Sequence, residues 1–118
     1  MWAAFADERL SSSAAKLFQD PDNDVYLSAV SAWEIHLKWS VGKLRMDERP
    51  ADFVQRELSE RLLQFLPVEL THLRRLDDLA AHHKDPFDRL LVAQAVEEDL
   101  ALMTRDQTLS EYPVKIVW

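Results

Sequence analysis

The chain has 118 residues, 47% of them apolar and 30% charged, with a formal net charge of −7. That length supports one domain with a real core. No run of about 18 apolar residues is present to span a membrane, and the absence of cysteine removes disulfides, thiolate metal sites and thiol nucleophiles.

An acidic chain repels phosphates on average. Action on RNA therefore calls for metal ions and a local basic patch, and a basic protein partner is the other use of such acidity. The single glycine, Gly42, leaves no glycine loop to cradle a nucleotide phosphate. Met1 to Ala6 is apolar but lacks the basic start and the length of a signal peptide. These features are compatible with a reducing cytoplasm.

Residues 2–7 read as the tail of a helix. Ser11-Ser12-Ser13 offers N-caps for a helix over about 12–19, ended by Asp20-Pro21-Asp22-Asn23. Val25 to Ser28 is a strand, and Ala29 to about Trp39 a helix with Gly42 as its stop. Pro50 opens a helix to about Gln64, and Phe65 to Val68 is a brief strand in which Pro67 favours an edge. Thr71 caps a helix over about 72–80. Asp85-Pro86 opens the next, with Asp as N-cap and Pro at the first helical position. Ala101 to Thr104 and Val114 to Trp118 are strands. This alternation predicts one α/β domain over residues 1–118, with a parallel sheet covered on both faces. In such sheets, sites form at the carboxyl ends of strands.

Three acids stand out against that frame. Glu34 lies on the helix-spaced apolar row Val30, Trp33, Leu37, Val41. Asp88 opens an almost wholly apolar helix, and Asp106 follows Ala101 to Thr104. A buried carboxylate is costly unless paired, protonated or metal-bound, and several together suit a hard cation. Each also has a local reading. Glu34 can pair with Lys38 one turn on. Asp88 sits at the third helical position, where an acid completes a capping box. Asp106 can cap a helix over 107–111. His82-His83 followed by Asp85 is read as a surface or substrate-contact cluster rather than a zinc site, since adjacent residues do not share a helix face. Trp33, Trp39 and Trp118 are read as core or interface packing, and Arg74-Arg75 as a solvated face.

The segments Val25 to Ile35, with Lys38 and Gly42-Lys43-Leu44, are similar to the second strand and following helix of PIN-domain ribonucleases. More narrowly they resemble VapC-type toxins of bacterial toxin–antitoxin pairs. His82 to Ala95, Leu102-Met103-Thr104-Arg105-Asp106 and Tyr112 to Trp118 agree in order and spacing. The resemblance implies a three-layer α/β/α sandwich around a parallel sheet. It implies an RNase using Mg²⁺ or Mn²⁺ held by Glu34, Asp88 and Asp106, with Thr104 and Asp85 in support. Lys84, Arg89 and Arg105 are candidates for RNA phosphate contact. The implied partners are RNA, a cognate antitoxin and a second copy in a homodimer, in the cytoplasm and without a membrane.

Family members begin with a strand ending in a Leu-Asp-Thr-like motif, whose Asp leads the metal ligands. Met1 to Ser11 resembles the segment just after that strand, and Asp7 aligns with a loop acid. The expectation is that the first strand and a fourth acid are absent. A gap should then separate neighbouring strands, with weak Mg²⁺ binding and little or no cleavage. Such a chain is either a shortened form of a longer protein or a degraded toxin that still binds its antitoxin. A plain helical domain without a metal site is the remaining alternative.

Overall fold

The computed structural model describes residues 12–61, 63–80, 85–104 and 106–118. In chain order these form α1 (Ser12–Gln19), β1 (Tyr26–Ser28), α2 (Ala29–Ser40), α3 (Pro50–Glu60), β2 (Gln64–Leu66) and α4 (Leu70–Asp78). Then come α5 (Pro86–Glu97), β3 (Leu102–Met103), a 3₁₀ turn (Gln107–Glu111) and β4 (Ile116–Val117). The expected helix tail at 2–7, His82-His83, Lys84 and Arg105 lie outside the described residues.

β1 pairs in parallel with β2, Tyr26 opposite Gln64 and Ser28 opposite Leu66. β3 pairs in parallel with β4, Leu102 opposite Ile116 and Met103 opposite Val117. Among the described residues these are two separate two-stranded ladders. A cleft of about 240 Å³ touches both, bordered by Val25 before β1, Met103 of β3 and Val117 of β4.

Strand alternation sorts the core into two clusters. Leu102, Leu66 and Tyr26 face one side and pack with Leu91, Val92 and Ala95 of α5. Leu27, Met103 and Val117 face the other and pack with Ala14 of α1 and Val54 of α3. Helices thus cover both faces of the strands, which is the layering expected from the sequence. Burial of each such Leu or Val stabilises by about 1.5–3 kcal/mol.

Several local signals hold at their positions. Ser28, expected only as the end of a strand, ends β1 and also caps α2, its side chain accepting from the Val30 N–H. Asp85 caps α5 and accepts from the Phe87 and Asp88 N–H groups at 2.8 and 3.3 Å. Gly42, at φ 78°, takes the left-handed conformation just past α2.

Other boundaries move. α3 stops at Glu60, not Gln64, because Gln64 already pairs with the β1 segment through its N–H to the Val25 carbonyl. Pro67 lies just past β2, not inside it. α4 begins at Leu70 and is capped by Glu69, not Thr71. Glu69 and His72 form a reciprocal capping box in which the imidazole takes the part usually played by Glu or Gln.

The row chosen on α2 is also corrected. Val30 is buried, but Trp33 is 56% exposed and Val41 67% exposed, so the row climbs from the core to the surface. Trp33 is not a core residue. Trp39 is also exposed, whereas Trp118 packs against the second cluster. Arg74 is on an exposed face as expected. Arg75 is not simply solvated: its Nε donates to Glu97 of α5 at 2.9 Å.

Candidate active site

Glu34 stands in the second turn of the helix that follows β1. Its side chain is 22% exposed, and its carboxylate meets the Lys38 ammonium at 3.6 Å, one turn on. The pairing is available because Glu34 lies at the rim of α2, between exposed Trp33 and buried Ile35. A surface pair of this kind contributes about 0.3–0.5 kcal/mol.

Asp88 lies in the first turn of α5, half-buried, with its own N–H held by Asp85. The carboxylate of Asp85 is thereby a helix cap. Asp106 follows β3 and opens the 3₁₀ turn. Its Oδ1 accepts from the Thr108 N–H at 3.0 Å and from the Thr108 hydroxyl. Thr104 turns the loop: its hydroxyl oxygen accepts from the Asp106 N–H at 3.1 Å. Arg89 reaches the carbonyl of Leu79, the residue that ends α4, and its Nε is buried without a partner among the described residues. That guanidinium is directed at the C-terminal carbonyls of a helix, where a cation is favoured.

Glu34 and Asp88 are linked through their neighbours. The Trp33 ring meets the Phe87 ring edge-to-face, centroids 5.0 Å apart. Such aromatic pairs contribute about 0.5–1.5 kcal/mol beyond area burial. At the start of α2, the hydroxyl of its cap Ser28 donates to the Gln94 side-chain oxygen. Advancing along α2 from Ser28 to Trp33 therefore runs backwards along α5 from Gln94 to Phe87. The two helices cross the seam in opposite senses, and the turns carrying Glu34 and Asp88 share one end of it.

Three carboxylates and a hydroxyl are hard oxygen donors, the chemistry that Mg²⁺ and Mn²⁺ take. Their arrangement is a separate matter. Among the described residues, no three His, Asp or Glu side chains are gathered closely enough to hold a metal ion. The donors match the ion in kind, and the described residues alone do not form a ready-made cage.

Two features escaped the sequence reading. One is a groove of about 530 Å³ between α2 and α3, lined by Ala32, Trp33, Val54, Leu58 and Phe65. The other is a buried polar cluster of Ser28, Gln94 and His72. Its signal was available: Gln94 is the one polar residue in the run Leu91-Val92-Ala93-Gln94-Ala95. Among the described residues no helix is long and apolar enough to cross a membrane.

A PIN-domain family model matches residues 1–115. Among solved structures, the chain is similar to a crystal structure of FitAcB from Neisseria gonorrhoeae. The two share 20% identity with a TM-score of 0.58, over 80% of this chain and 75% of the other. No curated protein matches the chain.

Proposed function

This chain belongs to the PIN-domain family, and from that premise we propose that it is a VapC-type toxin, an endoribonuclease that hydrolyses RNA phosphodiester bonds and is neutralised by a cognate antitoxin. Glu34, Asp88 and Asp106 are the residues that would hold Mg²⁺ or Mn²⁺. When bound, such an ion activates water and neutralises phosphate charge. Thr104 supports by shaping the loop that presents Asp106. The observation that carries this reading is the α2–α5 seam, where the Trp33–Phe87 contact brings together the turns bearing two of the three acids. In the cytoplasm the chain would act as a homodimer, with RNA as substrate.

Asp88→Asn tests it. The purified chain should cleave single-stranded RNA weakly in Mn²⁺, stop when the metal is chelated, and lose at least about 100-fold in rate on substitution, with a melting temperature lower by no more than about 2 °C. Equal rates for the two proteins would overturn the assignment of Asp88.

A second reading has its own support. The apolar α2–α3 groove, with Trp33 and Phe65 exposed at its border, favours a chain that binds antitoxin without cutting RNA. A stable complex with the antitoxin, together with no cleavage at any Mn²⁺ concentration, would establish that alternative. Trp33→Asp should then break the complex.

A further inference from the structure

We infer that Gln94 is a positioning residue, an amide that sets α2 against α5 and so fixes where Glu34 and Asp88 stand. The inference deepens the nuclease reading and rests on it for its consequence in catalysis.

Gln94 is completely buried, as are Ser28 and His72. Its side-chain oxygen accepts from the Ser28 hydroxyl, and that hydroxyl's oxygen in turn accepts from the Val30 N–H. Its Nε2 donates to the Pro67 carbonyl at 3.2 Å and lies 3.4 Å from His72 Nδ1. His72 Nδ1 also accepts from the Glu69 N–H at 3.0 Å. A backbone N–H can only donate, so Nδ1 must be the acceptor and the proton resides on Nε2, which meets Glu98 at 2.8 Å. The direction of every bond is then set. The Val30 N–H donates to Ser28, Ser28 to Gln94, Gln94 to Pro67, the Glu69 N–H to His72, and His72 to Glu98, with Gln94 Nε2 in contact with the same Nδ1.

A chain with one direction has one good orientation of the amide. Flipping Gln94 would face its oxygen to the Pro67 carbonyl and its NH₂ to the Ser28 hydroxyl. Two acceptors would meet at Pro67 and that buried bond would be lost, although the Ser28 hydroxyl can turn to accept from the NH₂. The amide is therefore a rigid joint between the start of α2, the β2–α4 connection, α4 and α5.

Its place in the seam gives it a consequence. Apolar packing between two helices, here Val30 in the cluster with Leu91 and Val92, lets them slide a little; contacts of fixed geometry set the crossing. Ser28–Gln94 is the buried contact and Trp33–Phe87 the exposed one. They are about 7.5 Å apart along α2 at 1.5 Å per residue. Loss of the buried polar contact leaves α2 held to α5 by apolar packing of Val30 in the cluster with Leu91 and Val92, and by the aromatic pair next to Glu34. A displacement of about 1 Å in a catalytic group can cost about 100-fold in rate.

The test compares Gln94→Met with Val92→Ala, a fully buried α5 residue outside the polar joint. Two readouts are taken: the Trp33 indole N–H resonance, shifted by the Phe87 ring, and the RNA cleavage rate at saturating Mn²⁺. Gln94→Met should move the Trp33 resonance towards its unfolded position and lower kcat at least about tenfold with KM within about twofold. Val92→Ala should change the melting temperature alone. Ser28→Ala should mimic Gln94→Met, and the double variant should add little, since the two share one bond. An unmoved Trp33 resonance in Gln94→Met, or matching kcat losses in the two single α5 variants, overturns the inference. If the natural chain does not cut RNA but Gln94→Met still moves Trp33, the nuclease reading fails and the joint between α2 and α5 stands.

Discussion

Asp85 separates capping from catalysis with a pair of substitutions. Pro86 has no N–H, so the donors of the first α5 turn are those of Phe87, Asp88 and Arg89. Asp85 accepts all three, two through Oδ1 and the third, from Arg89, through its carbonyl at 3.1 Å. Asp85→Ala removes the side-chain acceptor and the charge at the helix N-terminus. The cap is worth about 1 kcal/mol and the charge–dipole term about 0.5 kcal/mol. Asp85→Ser restores an acceptor and lacks only the charge. With an unfolding entropy of about 2.1 cal/mol/K per residue, a chain of 118 residues shifts by about 4 °C per kcal/mol. The expected drops in melting temperature are about 6 °C for alanine and about 2 °C for serine, read by circular dichroism at pH 7. Equal drops would refute the capping argument. Serine should also keep RNA cleavage; a serine variant that is stable and inactive would make Asp85 a participant in the site.

Three further substitutions probe the geometry. Leu91→Ala, at a position 2% exposed in the α5 core, should cost about 3 kcal/mol and lower the melting temperature by about 12 °C. Lys38→Met should move the melting temperature by less than about 2 °C, since an exposed i,i+4 pair contributes about 0.3–0.5 kcal/mol. Its effect on the metal should be opposite in sign to a loss: with the ammonium gone from Glu34, half-maximal cleavage should need less Mn²⁺, as a titration would show. Asp99→Gly should raise the melting temperature by about 2–4 °C. Asp99 sits at φ 54° just past α5, where the left-handed backbone costs a non-glycine residue about 1–2 kcal/mol and glycine gives back about 0.4–1 kcal/mol through its freer unfolded chain, a net of about 0.5–1 kcal/mol.

The legible part of the fold was set by short-range physics. Asp85-Pro86 marks the start of α5 because an N-cap and a missing N–H are properties of two adjacent residues. Gly42 marks the end of α2 because a left-handed φ is a property of one. The α4 start was missed for an equally physical reason. Glu69 and His72 cap each other, but an imidazole in the reciprocal position falls outside the usual Ser/Thr-x-x-Glu pattern. The α2 row misled because periodicity reports which residues share a face, not whether anything covers that face. Val30 meets α5, while Val41 extends beyond the layer that covers it. The Gln94 joint needs partners 66 residues away at Ser28 and 22 away at His72, and no local pattern encodes those distances.

The site poses the same problem at closer quarters, because the local and functional readings of an acid are not alternatives. A carboxylate has two oxygens and about four lone-pair positions. The Oδ1 of Asp106 is committed to Thr108 and starts the 3₁₀ turn. That commitment orients the side chain, as a hydrogen bond orients any ligand that must be held in place. Asp88 is similar: its backbone is fixed by Asp85, so its side chain leaves the helix from a defined point. Glu34 differs, since its partner is a flexible lysine at the surface rather than the backbone. Of the three, it has the most freedom to move. A cage completed by metal would therefore draw Glu34 in, exchanging Lys38 for the ion, while Asp88 and Asp106 stay where capping holds them.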